Sequence, residues 1–384
     1  MRKKTFRMVM LVSATICIGL VAVATSVGYF IYRWLKVDPI VVSSDASDID
    51  RVEAVEGWLH DQFENDRFNG GVLVIRDGKV LLSKTCGYTD DRATHRLDNH
   101  TAFRLASVSK QFTAAGVLRL AEMDLLDLDD PVAEHLEDFP FENVSVRHLL
   151  NQTSGIPDEY MDRAEEHRET VGDVLTISKA VELVIRHSKP SRPPGDAMEY
   201  SNTNYVLLAG VIEAVSGKSF ERFMSEELFQ PIGMNDTRVW NLLSDQRSPN
   251  QASDFDQIDD DRTPIEPTWL DGVAGDGAVF SSLNDFVIWD RFWYGNSRVS
   301  NALLEQAFER PKLKDGSRSD YGFGWVLERK RQWHNGAWLG ANTYIVRYPR
   351  TRSCLVVLDN SSNLRLDRIA NEIEETLKPI FTDD

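Results

Sequence analysis

The chain has 384 residues, of which 42% are hydrophobic and 10% aromatic, and it carries a formal net charge of −17. This composition is that of a folded globular protein and allows one large domain or two lobes, which excludes an intrinsically disordered chain. An acidic surface repels phosphate backbones, so we expect no nucleic-acid partner.

A membrane-spanning helix is the first element that the sequence predicts. Residues 8–32 contain no charged side chain, and as a helix rising about 1.5 Å per residue they are long enough to cross a hydrocarbon core of ~30 Å. Four basic residues precede this run and two follow it, which predicts a cytoplasmic N-terminus and an extracytoplasmic remainder. A cleavable signal peptide is the alternative, because Ala22–Ala24 resembles a cleavage site, and the protein would then be secreted.

These features define the predicted domain boundaries. Residues 1–36 are predicted to be a cytoplasmic basic stub and a transmembrane anchor. Residues 37–50 are polar and rich in Ser and Asp, which predicts a linker. Residues 51–384 are predicted to form the extracytoplasmic domain, so membrane contact is expected through the N-terminal helix.

An amphipathic helix over residues 49–68 and a β-hairpin open the predicted domain. Apolar residues at near-helical spacing indicate the helix, and two apolar runs around Asp77-Gly78 in GGVLVIRDGKVLLSKTCGYTD indicate the hairpin. Further helices are predicted over residues 107–126, 145–150, 178–187 and 205–216.

The C-terminal part of the chain returns to strands. Strands are predicted in YGFGWVLERK, TYIVRYP and CLVVLDN, before a last helix over residues 366–377. Residues 241–271 are polar and are predicted to be a long surface loop or insertion. Strands near both chain ends with helices between them predict an α+β fold, in which an antiparallel sheet is flanked by helices and carries an inserted, mostly helical lobe.

The segment FRLASVSKQF, residues 103–112, carries the first candidate chemistry. Ser107 and Lys110 share one helix face near a helix N-terminus, where free N–H groups and the positive end of the dipole lie. A serine nucleophile needs a proton acceptor, which Lys110 supplies if burial or nearby charge lowers its pKa, and donors for the developing oxyanion, which include the Ser107 N–H. A capping serine and a snorkelling lysine would explain the same residues without catalysis.

Two later stretches add to this pair. Tyr200-Ser201-Asn202 follows a Pro/Gly-rich loop, and His334-Asn335-Gly336 lies on or beside a strand. Ser-x-x-Lys, Tyr-x-Asn and Lys/His-x-Gly in this order resemble the serine β-lactamase and penicillin-binding protein superfamily, and the spacings resemble its class C-like branch. VRHLLNQTSGIPD, LFQPIGMNDT, AGDGAVFSSLNDF and YGFGW are also similar to that branch, so that the resemblance covers roughly residues 49–377.

The resemblance implies a β-lactamase/transpeptidase-like fold and assigns roles to individual residues. Ser107 is the expected nucleophile, and Lys110 and Tyr200 are the expected proton-handling pair. Asn202 is expected to hydrogen-bond the substrate amide. The family's usual strand order also separates the strands that bear Cys86 and Cys354, which implies two free thiols.

The resemblance also places a strand along the substrate. The segment from His334 to Gly336 is expected to lie beside the acyl group, with Gly336 leaving room for a close approach and the N–H of Ala337 completing the oxyanion hole. Many β-lactamases carry lysine where this chain has His334. A histidine is only partly charged near neutral pH, so its grip on a β-lactam carboxylate should be weaker, which favours a peptidase or esterase.

The predicted function is therefore a membrane-anchored, extracytoplasmic serine hydrolase that forms an acyl-enzyme on Ser107, with D-alanyl peptides or esters as substrates. A weak β-lactamase or carboxylesterase of the same family is one alternative, and a non-catalytic sensor that binds cell-wall peptides is another. The expected partner is a small-molecule or peptide substrate, with cell-wall peptides as candidates. We expect no cofactor and no metal, because the sequence holds no CxxC, HExxH or comparable ligand spacing.

Overall fold

A six-stranded antiparallel sheet organises the computed structural model, which describes residues 37–244, 247–258 and 261–382. The strands are β1 (Gly70–Arg76), β2 (Lys79–Cys86), β3 (Phe103–Arg104), β4 (Arg238–Val239), β5 (Phe255–Ile258), β6 (Asp261–Pro264), β7 (Val279–Ser281), β8 (Val326–Leu327), β9 (Gln332–Trp338), β10 (Ala341–Tyr348) and β11 (Ser353–Asp359). The large sheet has the order β2-β1-β11-β10-β9-β8, which confirms that strands from both chain ends form one sheet.

The hairpin β1–β2 forms around the predicted turn. Asp77 and Gly78 both have positive φ angles, 49° and 68°, as the type I′ turn of a two-residue hairpin loop requires. Side chains of β1 alternate between the two faces of the sheet, as the strand period of two dictates. Val72 and Val74 pack with the first and last helices, whereas Leu73 and Ile75 belong to the larger core under the helical region.

Helices cover both faces of this sheet. They are α1 (Asp48–Glu64), α2 (Lys110–Glu122), α3 (Val146–Leu150), α4 (Tyr160–Glu166), α5 (Ile177–His187), α6 (Asn202–Ser216), α7 (Phe220–Met224), α8 (Gln230–Ile232), α9 (Leu283–Phe292), α10 (Asn301–Gln306) and α11 (Leu366–Phe381). The helices predicted within the described residues form, with some changes in their bounds. The helix predicted over residues 49–68 ends at Glu64, the one predicted over 107–126 spans Lys110–Glu122, and the last continues to Phe381. Together with the sheet they give the expected α+β fold with a helical lobe inserted between the strands.

The predicted surface loop over residues 241–271 is only partly a surface feature. It contains the two-stranded sheet β5–β6, and it buries Asp254, Phe255 and Asp271. The two buried aspartates lie at 2.7 and 3.5 Å from the guanidinium of Arg104, so an ion pair draws this polar segment into the protein. A second small sheet, in the order β3-β7-β4, joins the same region to the start of the helical lobe.

The segment predicted as a linker packs against the domain. The backbone N–H of Ile40 donates to Glu372 at 2.8 Å, and the indole of Trp58 donates to the carbonyl oxygen of Asp38 at 2.9 Å. The last residues of the segment already belong to α1. No helix within the described residues is long and apolar enough to cross a membrane, and the predicted anchor over residues 8–32, with its alternative cleavage site, lies outside them.

The two described cysteines are separated by a strand. Because β1 lies between β2 and β11, Cys86 and Cys354 are not on neighbouring strands, in agreement with the strand order that the resemblance implied. Both are buried free thiols. Burial raises the pKa of each thiol, which makes thiolate chemistry unfavourable at both positions.

Candidate active site

Ser107 lies at a sharp turn between β3 and α2. Ala106 has φ 47°, in the left-handed region that costs a non-glycine residue roughly 1–2 kcal/mol, and the chain reverses there into a short 3₁₀ turn, Ala106–Ser109. Ser107 is therefore in this turn rather than in the first turn of the predicted α-helix, which begins at Lys110. Thr343 of β10 donates to the carbonyl oxygen of Leu105 at 2.8 Å and holds the turn against the sheet.

Lys110 is fully buried beneath Ser107. Its Nζ lies 3.1 Å from Ser107 Oγ, 2.7 Å from Asn202 Oδ1 and 2.9 Å from the carbonyl oxygen of Asp276. The last two atoms can only accept hydrogen bonds, so they fix two of the N–H bonds of the lysine. The remaining position on Nζ faces Ser107 Oγ, where it holds either a third N–H or the lone pair of a neutral amine.

Asp158 fixes the orientation of the Asn202 amide. The Asn202 Nδ2 donates to Asp158 Oδ2 at 2.9 Å, so the amide oxygen must face Lys110. Asp158 Oδ1 also accepts from the backbone N–H groups of Asn202 and Thr203, at 2.8 and 3.2 Å, and caps the N-terminus of α6. Sequence reasoning missed Asp158, which is 44 residues away from its partner in the chain.

The aromatic ring of Tyr200 lies over the lysine. Its centroid is 5.0 Å from Lys110 Nζ, within the range of a cation–π contact. The rings of Tyr200 and Tyr321 pack in a T-shaped arrangement with 5.9 Å between their centroids. Tyr200 is 38% exposed. The predicted pair is thus brought together, but within the described residues the hydrogen bonds of Lys110 Nζ go to the serine, the amide and the carbonyl rather than to the Tyr200 hydroxyl.

The strand β9 runs beside the turn that carries Ser107. A Cβ on Gly336 would lie 2.6 Å from the Leu105 carbonyl oxygen, 2.7 Å from Thr343 Oγ1 and 2.8 Å from the backbone nitrogen of Ser107, so only glycine allows this approach. Among the described residues β8 pairs only with the start of β9, which leaves the edge near Ala337 facing the cleft. This places Ala337 and Ser107 together in the cleft lining.

The sequence analysis expected His334 to lie beside the substrate, but its side chain does not line the cleft. The ring is 3% exposed, with Nε2 lying 3.0 Å from the Tyr321 hydroxyl and Nδ1 2.6 Å from the carbonyl oxygen of Asn335. Burial, together with the nearby Lys110, lowers the pKa of His334 to about 3, so the imidazole is neutral near pH 7. The sequence analysis expected a partly charged histidine with a weakened grip on a carboxylate. The ring is instead buried and neutral, and it is held by the Tyr321 hydroxyl and the carbonyl oxygen of Asn335.

Two further acidic residues, which the sequence analysis did not single out, line the cleft. Asp276 Oδ2 accepts from the Tyr160 hydroxyl at 3.0 Å, and burial raises the pKa of the Asp276 carboxyl. Asp271 Oδ1 accepts from the indole of Trp338 at 2.7 Å and also faces Arg104. The only sequence signal was the position of Asp276 between glycines in AGDGAVF, which is typical of a chain segment in close contact with its neighbours.

The described residues contain no group of three or more His, Cys, Asp or Glu side chains that could hold a metal ion. The arrangement instead offers a hydroxyl next to an amine, donors near a strand edge, and a cleft. Such a site on an α+β fold with this sheet defines a serine hydrolase. The family model described as Beta-lactamase matches residues 55–376, and the chain belongs to this family.

Curated relatives and solved structures agree with the family. The chain is 35% identical over 315 residues to penicillin-binding protein 4* of Bacillus subtilis (strain 168), covering 77% of this chain and 69% of that protein. It is 30% identical over 293 residues to the D-aminopeptidase of Brucella anthropi, covering 75% of this chain but only 55% of that protein. The octameric penicillin-binding protein homologue from Pyrococcus abyssi superposes with a TM-score of 0.71 at 26% identity, over 86% of this chain and 77% of that one.

Proposed function

We propose that the protein is a serine hydrolase that forms an acyl-enzyme on Ser107 and acts on D-aminoacyl peptides, amides or esters. The observation that carries this proposal is the 3.1 Å contact of Lys110 Nζ with Ser107 Oγ, in a lysine whose other contacts are fixed. The names of two relatives, a penicillin-binding protein and a D-aminopeptidase, support D-amino acid substrates.

The first step transfers the acyl group to the serine. Ser107 Oγ attacks the carbonyl carbon while its proton moves along the 3.1 Å contact to Lys110 Nζ. Because Asn202 and Asp276 hold the other two N–H bonds, the lysine needs no rearrangement to receive this proton. The N–H groups of Ser107 and Ala337 are the proposed donors to the oxyanion, in keeping with their shared position in the cleft.

The second half of the reaction releases the products. The tetrahedral intermediate collapses, the carbon–leaving-group bond breaks, and the leaving group takes up a proton. The proposed donor is the hydroxyl of Tyr200, a residue that is partly exposed. Lys110, whose Nζ lies 5.0 Å from the centroid of that ring, is the proposed source of the replacement proton, and a movement of the tyrosine must first bring its hydroxyl to the ammonium. Water then attacks the acyl-enzyme, releases the acid and restores the Ser107 hydroxyl.

A weak β-lactamase or a carboxylesterase of the same family is the second candidate. One observation favours the ester over the lactam: His334 is buried and neutral, so it supplies no charge for the carboxylate that a β-lactam carries. A non-catalytic sensor of cell-wall peptides is the third candidate. Peptide binding alone does not explain why a buried lysine contacts three polar atoms, one of them the serine hydroxyl.

We further propose that residues 8–32 anchor the protein and that residues 51–384 lie outside the cytoplasm. The length of the uncharged run and the basic residues before it support this orientation. In full-length protein, fractionation after a carbonate wash should leave the protein in the membrane. A mature N-terminus just after Ala24 would instead indicate secretion.

Covalent labelling tests the catalytic proposal. A fluorophosphonate should label the protein once, and the mass increase should map to Ser107. The label should be absent in Ser107→Ala but present in Ser317→Ala, an exposed serine whose hydroxyl bonds to Asp315. Unchanged labelling of Ser107→Ala would refute the assignment, and complete absence of label in the wild type would favour the sensor.

A further inference from the structure

The cations around the cleft are already engaged. The guanidinium of Arg104 is 5% exposed and lies 2.7 Å from Asp254 and 3.5 Å from Asp271, so two carboxylates neutralise it. Lys110 contacts three acceptors, and His334 is neutral near pH 7 because its pKa is lowered to about 3. Among the described residues of this site, a substrate carboxylate therefore finds no side chain with an uncommitted positive charge.

The carboxylate of Asp276, in contrast, is poorly compensated. It lines the cleft next to Ser107, and its hydrogen bonds in the described structure come from the Tyr160 hydroxyl at 3.0 Å and from its own backbone. Tyr160 is buried and neutral, so it contributes a dipole but no charge. Burial raises the pKa of the Asp276 carboxyl by more than the positive charge of nearby Lys110 and the two hydrogen bonds lower it, so the carboxylate is only partly compensated. A cation in direct contact with it would offset the remaining cost.

The rest of the cleft lining is apolar on one side. Met161, Leu270, Val273 and Trp338 face the same space as Ser107 and Asp276. The indole N–H of Trp338 is bound to Asp271 at 2.7 Å, which fixes the orientation of its ring. A molecule that fills this cleft therefore meets an apolar wall and two carboxylates, of which Asp271 faces Arg104 and Asp276 does not.

We propose that Asp276, oriented by Tyr160, binds a protonated amino group on the acyl part of the substrate. The preferred acyl donors are then aminoacyl compounds with a free ammonium and an apolar side chain, rather than acylated peptides that end in a carboxylate. This inference rests on the proposed function of Ser107 and narrows the substrate class of the same site.

Protection of Ser107 from a fluorophosphonate tests this inference without depending on the leaving group. The probes are D-leucinamide and N-acetyl-D-leucinamide, which differ by an acetyl group that removes the positive charge from one nitrogen. In the wild type, D-leucinamide should halve the labelling rate at a concentration at least about 10-fold below that of its acetylated form, as expected for a hydrogen bond to a charged group. Equal protection by the two compounds, or better protection by the acetylated form, would overturn the proposal.

Variants of Asp276 test whether this residue causes the preference for the free amine. Asp276→Asn keeps the backbone carbonyl that binds Lys110 and removes the charge, so the preference for the free amine should fall to within about 3-fold. Asp276→Glu should retain part of the preference, and Asp315→Asn, an exposed carboxylate bonded to Ser317, should retain all of it. A full preference in Asp276→Asn would refute the assignment. If that variant does not fold, the wild-type comparison and Asp276→Glu decide the matter.

Different outcomes reject the hydrolase function and the ammonium site. If the fluorophosphonate does not label Ser107 in any protein, the proposed function is wrong, and the ammonium site falls with it. If Ser107 is labelled but the two amides protect equally, the hydrolase assignment stands and only the ammonium site is rejected.

Discussion

Replacing Asp158 by asparagine should invert the Asn202 amide while leaving the helix cap in place. The cap survives because the oxygen of the introduced side-chain amide can still accept from the backbone N–H groups of Asn202 and Thr203. The NH₂ group of that amide then takes the place of Asp158 Oδ2, 2.9 Å from the Asn202 NH₂ group. Two donors cannot face each other, so the Asn202 amide should rotate and turn its NH₂ group toward Lys110.

This rotation should slow acylation because it changes the contacts of Lys110. Lys110 loses the acceptor now 2.7 Å from Nζ and meets a donor instead. A hydrogen bond that involves a charged group contributes about 1.5–3 kcal/mol, and each 1.36 kcal/mol changes a rate tenfold, so acylation of Ser107 should slow by roughly 10- to 100-fold. Stability should change little, because the cap of α6 survives.

Asp158→Ala is the matched control for this experiment. It removes both the cap and the orienting acceptor, so it should lose about 1 kcal/mol of unfolding free energy in urea. The assay is the second-order rate of fluorophosphonate labelling, measured beside urea unfolding for both variants. Asp158→Asn with a wild-type labelling rate would refute the claim that the carboxylate orients Asn202. A large loss of stability in Asp158→Asn would refute the claim that the cap is independent.

Other parts of the site lead to further expectations. Lys110→Ala should slow acylation by at least ~10²-fold and Tyr200→Phe by less, and the double variant should be close to the worse single one if the two residues act as a unit. Losses in activation free energy that simply add in the double variant would contradict the coupling. Gly336→Ala should lower the free energy of unfolding by about 1–3 kcal/mol and reduce labelling, because the added Cβ would press on the turn before Ser107. An unchanged urea midpoint would contradict this. The pKa of His334 is about 3 in the folded protein and its ordinary value is 6.5, so protonation at low pH favours the unfolded chain. Acidification from pH 7 to 4 should therefore lower the unfolding free energy of the wild type by roughly 3 kcal/mol more than that of His334→Gln. Equal losses in the two proteins, measured by urea unfolding at both pH values, would argue against a buried neutral ring.

The elements that the sequence predicted well are those with local causes. The Asp77-Gly78 turn needs two positive φ angles, which this residue pair tolerates, and so the hairpin follows from the pair itself. Ser107 and Lys110 are three residues apart in the chain, and Lys110 Nζ lies 3.1 Å from Ser107 Oγ. Contacts between residues that are close in the chain can be predicted from the sequence pattern.

The elements that were missed depend on distant contacts or on backbone conformation. Asp158 meets Asn202 across 44 residues and Asp276 meets Tyr160 across 116, and neither separation produces a periodic signal. The left-handed conformation of Ala106 has no signature in its residue type. Residues 241–271 were predicted to lie on the surface because they are polar, whereas a buried arginine pairs with two of their carboxylates.

The contact between the sheet and the helical lobe determines how well the site is aligned. The proposed oxyanion donor Ala337 belongs to β9 of the sheet, whereas the proton acceptor Lys110 is held by Asn202 of α6 and by the segment before β7. Gly336 joins the two halves, since its Cα faces the backbone nitrogen of Ser107 with no room for a side chain. A shift of β9 by the width of one methyl group would separate the oxyanion donor from the nucleophile while leaving Ser107 and Lys110 in contact. Substitutions at this contact should therefore reduce stabilisation of the transition state more than they reduce proton transfer.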